Sequence, residues 1–443
     1  MIALDQLPIA IIGAGPTGLA AAAHLTTRGI RYLVLEATDG VAACFRSTAH
    51  VRLFSPWEMN IDKAAAQVLE QQGWRAPDPE TMPTAGEMRS LYLEPLARAL
   101  APHVRYGARV EGISRRGFDK MRSGARELAP FVLRLRTPEG DEQIEARAVI
   151  DASGTWASPN WMGGNGLPAL GEEASAAQIQ YGMPDILGGA RARYSNKCVL
   201  VIGSGHSAVG SLIALSELAT SQAQTSIIWA IRGDNVEKIF GGGAKDGLPE
   251  RGKLGSTLRL LIEAGKLEVV RGFHIEAVHR KLDQLEVRGV MRDGSPRIVS
   301  GIDEIIVATG ARPDPGLARE LRLKLDALLE STEQLAPLID PNLHNCGSVP
   351  PHGHRELTHP EPGYYAIGAK SYGRAPSFLL ATGYEQARSV VAALAGDIAD
   401  ADQVQLVLPE SGVCVTDFAE QSASAAGRCC PPASKAVSKS GCC

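Results

Sequence analysis

Several classes of protein are excluded by what the sequence does not contain. No charge-free run of about 20 apolar residues, the length a membrane-crossing helix needs, occurs in its 443 residues. No membrane span is therefore expected. Charge of one sign is not in excess: 45 Lys and Arg stand against 49 Asp and Glu, for a net charge of −4. That balance speaks against a nucleic-acid binder and against a membrane-surface protein. Aromatic residues make up only 5% of the chain. The 47 glycines follow no Gly-X-Y period, so they serve tight turns and close backbone approach rather than a collagen helix. The apolar stretch Ile9–Leu25 has no basic segment before it, its only early charge being Asp5. It does not read as a secretory signal, and a cytoplasmic protein is expected.

Cysteine pairs at redox spacing are missing too. None of the 8 cysteines forms a Cys-x-x-Cys, and Cys44 and Cys198 each stand alone. In an intracellular chain of this size free thiols are expected rather than a disulfide framework.

What is present is an alternation of short apolar runs and helix formers. Pro8–Ile12 reads as a buried parallel strand, Pro16–Arg28 as a helix stopped by Gly29, and Arg31–Leu35 as a second strand ending at Glu36. The same unit recurs with a strand at Lys197–Ile202, a helix at Ser207–Ala219 and a strand at Thr225–Ile231. Ala148–Gly154 (AVIDASG) and Glu304–Gly310 (EIIVATG) read as strands feeding turns. The turn-rich Ser158–Asn160 and Arg312–Pro315 mark crossovers. Gly363–Gly368 is a late strand, and Pro376–Ala395 is predicted as a helix with proline at its start. The predicted fold is therefore α/β, with two Rossmann-like units. Residues 1–159 and 312–411 form the first domain, 160–311 an inserted second domain, and 412–443 a flexible Cys-rich tail.

The strand-to-helix corners carry the chemistry. Gly13-Ala14-Gly15-Pro16-Thr17-Gly18 is a GxGxxG fingerprint. Gly13 permits the turn, Gly15 admits a pyrophosphate to the backbone, and Gly18 lets helix and strand pack closely. The helix N-terminus adds unpaired N–H groups and a positive dipole end. Glu36 is placed to accept from a ribose 2′-hydroxyl. Gly203-Ser204-Gly205-His206-Ser207-Ala208 is a second fingerprint, whose second strand ends not in an acid but in Arg232. A guanidinium there suits a 2′-phosphate and favours NADPH. Two dinucleotide sites in one chain are explained by a bound FAD reduced by a diffusible NADPH.

With these motifs in hand the chain resembles the two-dinucleotide-binding-domain flavoproteins, which include flavin-containing monooxygenases and the thioredoxin- and glutathione-reductase groups. The resemblance rests on both fingerprints, DASG at 151–154, ATGARPD at 308–314 and YYAIGA at 364–369. It implies that Gly154 and Gly310 mark crossings between domains. It also implies that Gly368 and Ala369 offer backbone N–H groups to the flavin, although the usual Asp of that motif is absent and Ala369-Lys370 follows instead. The segment His50–Asp62 is similar to the stretch near the flavin in flavin-containing monooxygenases, and by that likeness Asn60 is the candidate catalytic residue. The monooxygenase FxGxxxH signature is not kept, because Ile186 stands where its His would fall.

The end of the chain adds Cys414 and the vicinal pairs Cys429-Cys430 and Cys442-Cys443. Thiolates of this kind chelate soft metals and trivalent arsenic, so a soft metal or metalloid is a candidate partner. Together with HVRLFSPW at 50–57 and SYGRAPSFLLATGYEQ at 371–386, the tail resembles the arsenic-operon flavoprotein monooxygenases. That implies transfer of an oxygen atom from O2 to a soft nucleophile, with an arsenical as the candidate. Two alternatives stay open: a reductase of a thiol-bound metal or metalloid, and a non-catalytic metalloid-binding flavoprotein. A homodimer would let one tail serve the neighbouring flavin. The histidines and cysteine at 344–359 match no common zinc finger, and that segment reads as a loop over the flavin.

Overall fold

Short runs of β-branched and aliphatic residues with no polar face belong in sheets covered on both sides. The computed structural model, which describes residues 4–241, 249–343, 349–375 and 379–406, places them there. In chain order, β1 (Ile9–Ile12), β2 (Tyr32–Leu35) and β3 (Val104–Arg105) precede an antiparallel sheet of β4 (Arg109–Arg115), β5 (Phe131–Thr137) and β6 (Gly140–Ala146). Next comes β7 (Ala148–Asp151), and after the inserted unit β16 (Tyr364–Ala366) completes a parallel sheet in the order β16-β7-β1-β2-β3. The inserted unit repeats the plan. Strands β8 (Ile179–Tyr181), β9 (Cys198–Ile202), β10 (Ser226–Ala230), β11 (Glu268–Val270) and β15 (Glu304–Val307) form a parallel sheet in the order β11-β10-β9-β15-β8. The antiparallel β12 (Phe273–Lys281), β13 (Gln284–Met291) and β14 (Pro296–Ile302) lie between β11 and β15 in the chain.

The central strand of each sheet sends its next strand to one side and takes a later strand on the other. The carboxyl ends of β1 and β7, and of β9 and β15, therefore border the crevices where parallel α/β sheets bind ligands. Helix α1 (Pro16–Thr27) fills the back of the first sheet and α2 (His206–Ser221) that of the second. Ala20–Ala23 of α1 are wholly buried. Their small side chains let it pack against α4 (Leu380–Leu394), which contributes Tyr384, Ala387, Val390 and Val391 to the same core. A helix with so continuous an apolar run as Leu19–Ala23 belongs inside, and only its last turn, with Thr26 and Thr27, reaches solvent.

The expected helices are present with shifted ends. The second begins at His206 and runs to Ser221. The last begins at Leu380, not at a proline, and residues 376–378 lie outside the described residues. The chain leaves the first sheet and returns to it side by side. Pro159 bridges Ala311, the Asn160 N–H donates to the Gly310 carbonyl at 2.9 Å, and the Arg312 N–H donates to the Ser158 carbonyl at 3.0 Å. No helix among the described residues is long and apolar enough to cross a membrane.

Candidate functional site

The two fingerprints are built alike. Gly13 has φ +97°, and a Cβ there would sit 2.8 Å from the Ala152 carbonyl oxygen. Gly203 has φ +130°, and its Cβ would sit 2.2 Å from the Ala308 carbonyl oxygen. Each first glycine is thus needed for both turn and approach. Gly18 admits the Gly13 carbonyl, 2.1 Å from where its Cβ would lie. The middle glycines differ in kind: a Cβ on Gly15 or Gly205 meets nothing within 4 Å. Packing does not demand glycine at either place, yet both face free space at a helix N-terminus. An open helix N-terminus of this kind can receive an anion on its unpaired N–H groups. Ser204, Gly205 and His206 are exposed.

Glu36 is buried at the end of β2. One carboxylate oxygen accepts from the Ala14 N–H at 2.8 Å, the other from the Thr38 N–H and hydroxyl at 2.9 and 2.7 Å. These bonds hold the acid against the glycine loop. Arg232 follows β10, with an exposed side chain and one long bond, 3.3 Å, to the Gly164 carbonyl. Gly154 (φ +70°) has open space around it, whereas a Cβ on Gly310 (φ +83°) would sit 3.5 Å from the Asn160 amide nitrogen. Gly154 therefore borders free volume, and Gly310 belongs to the paired crossover.

A cavity of about 690 Å³ lies between the two units. Val51, Leu53, Phe54 and Tyr372 line it from the first, and Met183, Ile186, His206 and Leu254 from the second. The last of these is on α3 (Pro249–Glu263). The Phe54 ring meets His206 edge-on at 5.4 Å between centroids. Ile186, the residue that breaks the monooxygenase signature, is one of the buried apolar walls.

Asn60 borders this cavity, but its amide is occupied. Nδ2 donates to the Ser55 and Pro56 carbonyls at 2.7 and 2.8 Å, and Oδ1 accepts from the Ser55 hydroxyl at 3.0 Å. Both amide hydrogens are thus directed into the turn Trp57–Asn60. The Asn60 carbonyl in turn accepts from Tyr384 Oη at 2.8 Å. The Gly368 N–H is likewise spent, donating to Gln386 Oε1 at 2.7 Å. A Cβ on Gly368 (φ +71°) would sit 2.9 Å from Thr17 Oγ1, so this glycine acts by close packing against the first fingerprint. Ala369 follows it within the short turn Gly368–Tyr372.

The thiols divide by position. Burial pushes the Cys44 thiol up to about 11, so it stays protonated at neutral pH. Burial raises Cys198 as well, and both are free. Cys414, Cys429, Cys430, Cys442 and Cys443 lie outside the described residues, as do His344 and Cys346. The remaining histidines of that loop take separate partners. His352 pairs with the Pro350 carbonyl and Gln386, His354 with Asp402, and His359 accepts from the Lys324 N–H. Among the described residues no group of three or more metal-type side chains gathers.

The sequence reading did not single out one feature, the Lys370 ammonium. It is buried, 2.7 Å from Asp151 Oδ2 and 3.0 Å from Ser153 Oγ. Asp151 also accepts from Tyr364 Oη at 2.9 Å and from the Ser153 hydroxyl at 2.6 Å. Burial pulls the Asp151 carboxyl upward, but Lys370 and the hydrogen bonds from Lys370 and Ser153 outweigh it and hold it below the ordinary value.

Two parallel sheets, each with a glycine cradle at its switch point, define an oxidoreductase of two dinucleotide-binding units. The family model for pyridine nucleotide-disulphide oxidoreductases matches residues 10–345, and the chain belongs to that family. Indole-3-pyruvate monooxygenase YUCCA1 of Oryza sativa subsp. japonica is 30% identical over 201 residues, 44% of this chain and 42% of that protein. The matched region thus spans less than half of that relative. Among solved structures, bacillithiol disulfide reductase Bdr (YpdA) from Bacillus cereus superposes with a TM-score of 0.64 at 18% identity, covering 88% of this chain and 99% of that one. The FAD-bound cadaverine monooxygenase DfoA from Erwinia amylovora gives 0.63 at 12% identity, over 92% and 99% of the two chains. At such identities the likeness is one of fold.

Proposed function

We propose that this chain is an FAD-dependent, NADPH-oxidising monooxygenase acting on a soft nucleophile, with an arsenical as substrate in arsenic resistance. The observation that carries the flavoprotein reading is the pair of open cradles at Gly15 and Gly205, with a cavity between the units lined by both. The residues fit the two cofactors. Thr17 and Gly18 would present N–H groups to the FAD pyrophosphate, with Gly13, Pro16 and Gly154 shaping the cradle, and Glu36 would accept from the ribose. Ser204, His206 and Ser207 would hold the NADPH pyrophosphate and Arg232 its 2′-phosphate. Bound FAD supplies the two-electron and oxygen chemistry. The protein's part is to align the two dinucleotides and to keep water from the reacting atoms with the apolar walls at Leu53, Phe54, Ile186 and Leu254. Asn60 acts by fixing the turn at 57–60, which borders the same space.

A monooxygenase rather than a disulfide reductase is supported by two features. The sequence holds no Cys-x-x-Cys, and the two described thiols sit in different units with raised pKa values. The arsenical is supported by the thiols at 414, 429–430 and 442–443. Indole-3-pyruvate monooxygenase similarity supports oxygen transfer in general.

The deciding experiment uses FAD-loaded protein with NADPH and records oxygen uptake, hydrogen peroxide and product, with and without arsenite or an aryl arsenical. The proposal expects one O2 and one NADPH consumed per oxygenated product, with little peroxide. Peroxide equal to NADPH under every condition overturns it. NADPH consumption driven by the metalloid without oxygen assigns a reductase instead. In the same assay, replacing the tail cysteines 429, 430, 442 and 443 by Ser is expected to raise KM for the arsenical without changing FAD content.

A further inference from the structure

In the turn after β16 this chain has Ala369 followed by Lys370, and that lysine is folded inward beside the first cradle. Three contacts fix its place. Asp151 pairs with Ile12 across β7 and β1, level with the residue before Gly13. The Ala152 carbonyl lies 2.8 Å from where a Gly13 Cβ would be, and Thr17 Oγ1 lies 2.9 Å from the corresponding point on Gly368. The fingerprint, the Asp151–Gly154 turn and the Gly368–Tyr372 turn thus form one continuous wall. Ser153 is exposed on that wall, next to the open space at Gly154. Lys370 Nζ lies one hydrogen bond beneath it.

An ammonium has three N–H donors. Asp151 and Ser153 account for two. A buried carboxylate below a site for two phosphates would repel them, and in low dielectric that repulsion is large. We infer that Lys370 is a flavin-dinucleotide contact of this chain, cancelling the Asp151 charge beneath the cofactor and turning its third N–H to one of the cofactor's oxygens. The inference rests on the FAD reading above. It gives a reason for a lysine at this position that packing alone does not. An apolar pair would fill the same volume without the desolvation cost of two buried charges.

The test measures FAD affinity by quenching of flavin fluorescence on apo-protein, with thermal melting of the apo-protein as the separate measure of fold. The double variant Lys370→Met with Asp151→Asn removes both charges, so no unpaired carboxylate is left behind. A charge-assisted hydrogen bond corresponds to about 10- to 100-fold in affinity. Apo melting close to wild type with FAD binding weakened by that factor supports the inference. Unchanged FAD affinity overturns it and leaves the pair a purely structural stitch. If the double variant does not fold, Lys370→Gln decides, since it is neutral but still able to donate to Asp151. FAD bound at least 10-fold more weakly by a folded Lys370→Gln protein supports the assignment, and equal affinity overturns it. A wild-type apo-protein that binds no FAD removes the flavin reading itself, a result distinct from either.

Discussion

At the scale of single residues, glycines that look alike in the sequence have different duties. A Cβ on Gly18 would lie 2.1 Å from the Gly13 carbonyl oxygen, while one on Gly15 would touch nothing. Gly18→Ala must push backbone aside, at a cost of about 1–3 kcal/mol, and is expected to lower the melting temperature by several degrees. Gly15→Ala is expected to melt with the wild-type apo-protein and yet to be purified with little flavin. Absorbance at the flavin band and a thermal scan separate the two. Arg232 is the other residue whose role is separable. Arg232→Ala is expected to lower kcat/KM for NADPH about 10- to 100-fold, as loss of a charge-assisted bond does, while leaving NADH within about threefold. Equal losses for both nucleotides would show that Arg232 does not read the 2′-phosphate.

At the scale of elements, the parallel strands and their glycine corners were readable because each signal is local. A run such as Ile9–Ile12 is followed at once by the turn residues it requires. The antiparallel sheets at 109–146 and 273–302 were not readable in the same way. Their strands mix charged and apolar residues, as in Arg134 and Arg136 of β5, because one face looks to solvent. The Lys370–Ser153 contact was also beyond local reading, since 217 residues separate the partners. Asn60 was found by likeness, but its bonding could not be. The amide closes its own turn through carbonyls at Ser55 and Pro56, and only coordinates reveal which way an amide faces. Asn60→Asp would set a carboxylate against those two carbonyls. Loss of buried hydrogen bonds with an acceptor facing acceptors costs about 1–3 kcal/mol. The variant is expected to melt lower and to lose turnover together with stability. A fall in turnover with unchanged melting would assign Asn60 a direct role in the chemistry.

At the scale of the whole molecule, acid stability follows from buried titratable groups. Burial holds His359 down to about 4, so it is neutral in the folded chain. The unfolded chain binds that proton near pH 6.5. Folding therefore keeps this contribution above pH 6.5 and loses it progressively as pH falls toward 4, by up to about 3 kcal/mol. Asp151, held below its ordinary value, adds a further loss only at lower pH, where an unfolded carboxylate takes up its proton. Urea midpoints at pH 7 and pH 4.5 should differ markedly for the wild type and much less for His359→Asn. The same scale explains why the cavity was invisible beforehand. Its walls come from segments as distant in the chain as Val51 and Leu254, and only the return of the chain along the paired crossover strands brings them together.

That crossover has a consequence for how the gene can be rearranged. Because Pro159 bridges Ala311, the loose ends of the excised segment 160–311 would lie within reach of one another, and so would the two stumps left behind. A short loop of a few residues would join Ser158 to Arg312 with little entropic penalty. The prospect is two separately encoded modules, one for each nucleotide, and a permuted chain whose new termini lie at this seam.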